Sequence, residues 1–185
     1  MISKVNDEVL KFEFEEFGSN CYLINKKILI DAGSKENIKE FKEDFKKNNL
    51  KFEDVKEILL THLHWDHIGC AHLFSNAKVY CSAKEIEDWN ERKNVFLRHP
   101  EEVPEFELLD IKNFKNKDFK ILEVPGHTAG SLAFLYKKIL FSGDTIFDTS
   151  GTIGRTDFPN AIPEKMQESI QKLLDSGFKI LCAGH

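Results

Sequence analysis

The chain has 185 residues, a length that suits one domain with a sizeable hydrophobic core. Hydrophobic residues make up 41% and charged residues 31%, which is ordinary for a soluble globular protein and argues against extended disorder. The formal net charge of −5 disfavours a nucleic-acid partner, because phosphate binding requires a concentrated basic surface. We therefore expect a single domain over residues 1–185 that does not bind nucleic acid.

No apolar run approaches the roughly 20 residues that a membrane-spanning helix needs, so we expect no membrane association. Residues 1–8 lack the basic and then apolar pattern of a signal peptide. The four cysteines are widely spaced without a C-x-x-C pair, which favours free, buried thiols at Cys21, Cys70, Cys81 and Cys182. These features predict a reducing, cytoplasmic location.

The first half of the chain alternates apolar and amphipathic segments. Near the N-terminus, Phe12, Phe14 and Phe17 predict either an edge strand packed on the core or a contact surface. The segments Cys21–Ile24 and Ile28–Ile30 flank three polar residues and predict a hairpin. Ser34 is placed to cap a helix, whose apolar face would carry Ile38, Phe41 and Phe45. The lysines of residues 35–51 alternate with acidic residues, which predicts a solvated helix face.

Strands are next predicted at residues 55–60 and Lys78–Cys81. Ser82 and Glu85 have the spacing of a capping box, so a second helix should run from there through Trp89. A further strand at residues 119–124 and a hairpin of residues 132–136 and 139–141 follow. Pro163 suits the first turn of a last helix that stops at Gly177, before a strand at 178–182. The long loops 101–105 and 149–161 are candidates for binding.

The strongest functional signal is the segment 61–67, THLHWDH, directly after an apolar strand. In extended backbone, side chains two residues apart point the same way, so His62 and His64 can converge on one ion. As the chain turns toward a helix, Asp66 and His67 can face a neighbouring position. Four potential ligands within six residues suit two adjacent ions better than one. Imidazole with carboxylate suits zinc, and also iron or manganese.

Three more candidate ligands follow predicted strands, and each has a glycine before it, which lets the backbone bend close to a site. They are His127, Asp144 and His185. Because five of the seven histidines follow predicted strands, and three of them lie in one loop, a purely structural origin of the pattern is disfavoured. His72 and His99 have no such context and are interpreted as ordinary residues.

The set of His62, His64, Asp66, His67, His127, Asp144 and His185 resembles the full ligand set of the metallo-β-lactamase superfamily. The resemblance spans almost the whole chain and implies an α/β fold, a four-layer αβ/βα sandwich of two mixed β-sheets with outer helices. It also implies that His62, His64 and His127 hold one metal ion and that Asp66, His67 and His185 hold a second. Asp144 would bridge both.

By this resemblance the protein is a metal-dependent hydrolase of a small-molecule substrate, with two divalent ions, zinc before iron or manganese. Two ions can share a hydroxide and clamp both sides of a displacement. Asp66 is the expected catalytic residue, which orients the hydroxide and handles its proton. Asp31 is interpreted either as a hydrogen-bond partner of a ligand histidine or as a turn residue before Gly33.

The bridging Asp144 disfavours a true β-lactamase, whose second site usually uses cysteine. The chain resembles glyoxalase II in two features: the segment 126–131 (GHTAGS), and the segment 143–147 (GDTIF) with 154–159 (GRTDFP) following it. Glyoxalase II cleaves the thioester of a hydroxyacyl-glutathione. The nearer resemblance is to single-domain glyoxalase II-like proteins, since the chain lacks the C-terminal helical domain of glyoxalase II. The predicted function is therefore thioester hydrolysis.

The alternatives are a mononuclear iron enzyme that resembles persulfide dioxygenases, which share the segment 154–157, and a lactone hydrolase with the same site. A non-catalytic protein is disfavoured because the chain retains every ligand. Arg155 either binds an anionic substrate group or pins its loop through Asp157, and the second role is preferred. Because His185 is the last residue, its α-carboxylate would lie beside the second ion, so we expect that ion to bind more weakly.

Overall fold

The computed structural model describes residues 1–14, 18–92, 96–97 and 106–185. Its first sheet has seven strands in chain order, β1 to β7: Ile2–Lys4, Val9–Phe12, Cys21–Ile24, Ile28–Ile30, Glu57–Leu59, Lys78–Cys81 and Leu108–Asp110. The second sheet has the order β11-β10-β9-β8, with strands Phe119–Glu123 (β8), Leu132–Tyr136 (β9), Ile139–Gly143 (β10) and Ile180–Ala183 (β11).

Both sheets are mixed, as expected. In the first sheet, β1 to β4 pair antiparallel and β4 to β7 pair parallel. In the second sheet, β8, β9 and β10 form an antiparallel meander, and β11 joins β10 in parallel. Both predicted hairpins, β3–β4 and β9–β10, are confirmed.

Alternation along the strands places one face of each sheet against the other sheet. In β3, Tyr22 and Ile24 contact the core between the sheets, where they meet Phe134 of β9 and Phe141 of β10. The opposite side chain of β3, Leu23, faces a helical layer. Because the period of a strand is two, an apolar strand such as β3 fills both of its faces.

In the described part of the chain, four α-helices complete the layers: Ile38–Lys47 (α1), Trp65–Ile68 (α2), Ala83–Arg92 (α3) and Pro163–Leu174 (α4). Phe41 and Phe45 of α1 and Trp89 of α3 pack on the outer face of the first sheet. Leu173 of α4 packs on the outer face of the second sheet. The order helix, sheet, sheet, helix confirms the predicted four-layer αβ/βα sandwich.

The differences from the predicted elements are local. Strands β5, β8 and β11 have shifted or shorter bounds than predicted, and a 3₁₀ turn, Lys35–Asn37, precedes α1 after Ser34. Phe12 is fully buried against Phe41 and Phe45, in β2, which is an inner strand and not the edge strand that we expected. Phe17 and the loop 101–105 lie outside the described residues.

All four cysteines are free and buried, as the sequence predicted. In the part of the chain that the structure describes, no helix is long and apolar enough to cross a membrane. The lysines of α1 face solvent, whereas Phe41, Asp44 and Phe45 are buried.

Candidate metal centre

All seven predicted ligands come together where strands of the two sheets end. His62 and His64 follow β5, and Asp66 and His67 lie in the short helix α2. His127 follows β8, while Asp144 follows β10 and His185 follows β11, where the parallel pairing of β10 and β11 places both at the same edge. The two sheets thus deliver side chains that are up to 123 residues apart to one place.

The first group is a set of three buried histidines, His62, His64 and His127, whose ring centroids lie 4.7 Å from one another. Nδ1 of His64 lies 2.9 Å from Nε2 of His127. The group's nitrogen atoms lie within 4.8 Å of one another, a spacing at which three ligands can hold one ion.

The second group is formed by Asp66, His67 and His185, whose ligand atoms also lie within 4.8 Å of one another. Oδ2 of Asp66 lies 3.4 Å from Nε2 of His185. His67 is fully buried, whereas the His185 side chain is 39% exposed. This group therefore lies nearer to solvent than the three histidines.

Asp144 lies between the two groups. Its Oδ1 is 3.3 Å from Nε2 of His67, and its Oδ2 is 3.5 Å from Nε2 of both His127 and His185. Each group therefore presents a nitrogen atom to this carboxylate. The backbone permits the approach because Gly184 packs against it: a Cβ at that position would lie 2.2 Å from Oδ1 of Asp144.

Several buried ligand atoms of this cluster have no hydrogen-bond partner among the residues that the structure describes. They are Nε2 of His62, His64 and His67 and Oδ1 of Asp144. Buried polar atoms are almost always paired, so several unpaired atoms in one place indicate a bound group that satisfies them. The donor set of imidazole and carboxylate fits divalent transition metals. The residues present therefore fit a metal centre.

Hydrogen bonds at Nδ1 of His62 and of His127 determine which nitrogen of each ring carries the lone pair. The Thr61 hydroxyl donates its one proton to Asp31 at 2.8 Å, so Nδ1 of His62, 3.0 Å from that oxygen, must donate to it. Nδ1 of His127 donates to the Arg155 carbonyl oxygen at 2.7 Å. In both neutral rings the lone pair of Nε2 consequently points into the cluster.

The two groups of histidines differ in charge. Burial lowers the pKa of His62 well below its ordinary value and that of His64 to about 3. For His185 and His67 burial acts in the same direction, but the Asp144 carboxylate outweighs it, and the pKa of His185 rises to about 9. Without metal, these pKa shifts leave His62, His64 and His127 neutral at pH 7. They leave His67 and His185 of the second group protonated.

The cluster forms the floor of an open cavity of about 490 Å³. Its walls are largely aromatic and apolar and contain one arginine: Trp65, Phe96, Leu97, Phe147, Ile153, Arg155 and Phe158. Three of these residues belong to the loop 149–161, so the prediction that this loop contributes to binding agrees with the geometry. The Arg155 guanidinium donates twice to Asp157, at 2.9 and 2.7 Å, and stacks on Phe158 at 4.8 Å.

One predicted element is wrong in part. The Ser82 hydroxyl accepts from the Glu85 backbone N–H, but the Glu85 side chain does not return to Ser82 as in a capping box. It is fully buried and accepts bonds from Leu63, Thr128 and Gly130. Burial raises the pKa of Glu85 to about 7, against these three donors. No local sequence pattern revealed these distant partners. His72 is exposed and outside the cluster, and His99 lies outside the described residues.

Fold and site define the class. A family model for the metallo-beta-lactamase superfamily matches residues 15–185, and the chain belongs to this superfamily as a metallo-hydrolase with a candidate centre of histidines and aspartates. Probable metallo-hydrolase MJ0888 of Methanocaldococcus jannaschii is 30% identical to it, over 89% of this chain and 84% of that protein.

Two further relatives bear on the chemistry. The hydroxyacylglutathione hydrolase GloC of Haemophilus influenzae is 34% identical over 91% of this chain and 86% of that protein. TTHA1623, solved in a di-iron-bound form, is 26% identical with a TM-score of 0.72, over 95% of this chain and 91% of that chain. The chain spans about half the length of several other hydroxyacylglutathione hydrolases, 46–47%.

Proposed function

We propose that this protein is a binuclear metal-dependent thioesterase that hydrolyses a hydroxyacyl thioester of a small thiol. The observation that carries the proposal is the position of Asp144, whose oxygen atoms face His67 on one side and His127 and His185 on the other. One carboxylate between two groups of ligands suits two ions that share it. The similarity to GloC over most of both chains supports the thioester class.

In this proposal His62, His64 and His127 would hold one ion, Asp66, His67 and His185 would hold the other, and Asp144 would serve both. Two divalent ions, zinc before iron or manganese, would supply a nucleophile at neutral pH and polarise the thioester carbonyl. The di-iron form of TTHA1623 supports a pair of ions at such a site and keeps iron open.

Asp66 is the proposed catalytic residue. Its carboxylate borders the cavity beside His185. Burial opposes ionisation, but the hydrogen bond from His185 and the charge of His67 prevail and lower the pKa of Asp66 below its ordinary value. An ionised carboxylate at the cavity floor orients the attacking water and accepts its proton in the reaction.

The cavity walls select the substrate. The rings of Phe158 and His64 are tilted against each other with centroids 4.9 Å apart, and the Phe147 centroid lies 5.7 Å from that of His185, so aromatic rings flank both groups of ligands. These rings exclude water and offer an apolar surface to the acyl and thiol parts of a substrate. The volume of about 490 Å³ lies within the usual range for small-molecule sites.

The test is a panel of thioesters assayed with metal-loaded protein by release of free thiol. The panel includes a hydroxyacyl-glutathione and hydroxyacyl esters of smaller thiols. We expect hydrolysis of at least one, its loss in His62→Ala, and its retention in His72→Ala, which alters an exposed histidine outside the cluster. Lactone hydrolysis without thiol release, or oxygen consumption with a persulfide, would replace the proposal with one of these two activities.

A further inference from the structure

Glu85 of α3 joins the two loops that carry the three-histidine group. Its Oε2 accepts from the Leu63 backbone N–H at 2.8 Å, and Leu63 lies between His62 and His64. Its Oε1 accepts from the Thr128 hydroxyl at 2.7 Å and from the Gly130 N–H at 3.1 Å. Thr128 directly follows His127, and Gly130 lies in the same loop. One buried carboxylate thus hydrogen-bonds to both loops, on the side away from the cavity.

A buried carboxylate is poorly explained by stability alone, because an apolar side chain of similar volume often serves a core better. Glu85 is completely buried, with the hydroxyl groups of Ser82 and Thr128 beside it and with Leu63 and Trp89 in the adjacent apolar cluster. The surroundings are tight: a Cβ on Gly130 would lie 2.7 Å from Cγ of Glu85. The three bonds therefore fix the distance between the loops within narrow limits.

We propose that Glu85 is a positioning residue, which sets the separation of His62 and His64 from His127 and so tunes the affinity and geometry of the metal ion that they hold. The inference rests on the proposed function, since it assumes that these histidines bind the ion. A backbone bond from Leu132 N to the Thr61 oxygen, 2.7 Å long, joins the same loops independently. The fold therefore does not depend on Glu85 alone.

Glu85→Gln tests the role with little change of shape. A carboxylate accepts at both oxygens, whereas an amide has one acceptor and turns an NH₂ group toward a donor. In either amide orientation, Leu63 or Gly130 loses the acceptor of its backbone N–H. Glu87→Gln is the matched control, because Glu87 lies on the same helix but is exposed and paired with Lys84 at 2.7 Å.

The experiment measures Zn²⁺ affinity by chelator competition, the visible spectrum of the Co²⁺-substituted protein and the melting temperature of the metal-free protein. We expect Glu85→Gln to weaken the tighter Zn²⁺ site by about tenfold or more and to shift the Co²⁺ bands. Glu87→Gln should match the wild type. Thr128→Val removes one of the three hydrogen bonds to Glu85, so it should weaken Zn²⁺ binding and shift the Co²⁺ bands in the same direction but by a smaller amount. This variant replaces Glu85→Gln if Glu85→Gln does not fold.

Wild-type Zn²⁺ affinity and Co²⁺ spectrum in Glu85→Gln, with only a lower melting temperature, would overturn the positioning role and leave the proposed function intact. If the wild-type protein bound no Zn²⁺ or Co²⁺, the proposed function would fail together with this inference. The two failures are therefore distinguishable.

Discussion

The carboxylate of Asp31 lies 2.9 Å from Nδ1 of His67. The same carboxylate accepts from the Thr61 backbone N–H and hydroxyl, both at 2.8 Å. Asp31 also has a positive φ of 54°, so it occupies a tight turn as well. Both interpretations of this residue agree with these contacts: Asp31 lies in the turn after β4 and accepts from Nδ1 of His67, whose Nε2 faces Asp144.

Asp31→Asn should weaken metal binding by about 10- to 100-fold, the usual effect of losing a carboxylate behind a ligand histidine. An amide has one acceptor where the carboxylate serves His67 and Thr61 with two oxygens. Chelator competition on the purified variant measures the change. Asp118→Asn, at an exposed position, is the control, and equal affinities of the two variants would contradict the role of Asp31.

Gly184→Ala should reduce thioesterase activity by about 100-fold, the effect expected when a reacting group is displaced by about 1 Å. A Cβ at this position would lie 2.2 Å from Oδ1 of Asp144, so the carboxylate or the strand end must move. The measurement is kcat/KM with metal in excess. Gly177→Ala introduces a side chain at a φ of 73° after α4, and it should lower stability but spare activity. Similar kcat/KM values for Gly184→Ala and Gly177→Ala would contradict the prediction.

Metal binding should depend on pH at the second group of ligands (Asp66, His67 and His185) and not at the three-histidine group. Neutral His62 and His64 have nothing to release at pH 7, because burial holds their pKa low. His185, with a pKa of about 9 beside Asp144, must lose a proton first, so affinity at the second group rises from pH 7 to about 9. Calorimetry in buffers of different ionisation enthalpy should detect proton release with the second metal equivalent. Equal release with both equivalents would contradict this.

The pair of Arg155 and Asp157 should act through the loop and not through the substrate charge. Both side chains are exposed, and the guanidinium is already bound at two atoms by Asp157. The Arg155 carbonyl accepts from His127, so the order of this segment affects the centre. Arg155→Ala and Asp157→Ala should lower kcat by a similar few-fold factor, for charged and uncharged thioesters alike. An increase in KM confined to anionic substrates in Arg155→Ala would show that Arg155 binds the substrate instead.

Short patterns in the sequence predicted the hairpins, the helices and the candidate ligands, whereas the four-layer arrangement was predicted from the family resemblance. The segment 61–67 carries four of the seven candidates, and the other three follow apolar strands. Strands β1 and β7 were not assigned, since three residues carry too little periodicity. Phe12 of β2 indicated only an edge strand or a contact surface, because no local pattern shows that β1 pairs outside it. Glu85 was taken for a local cap because its partners lie 22 to 45 residues away, and only the packed structure brings them together.

The two-ion centre is the central claim, and elemental metal content per chain tests it most directly. The protein should be purified without oxygen and without a metal-binding tag, together with Asp66→Ala and His62→Ala. We predict about two ions per chain in the wild type and fewer in each variant. One iron ion per chain, with the same metal content in Asp66→Ala, would contradict a binuclear centre. That result would favour the mononuclear iron enzyme that resembles persulfide dioxygenases.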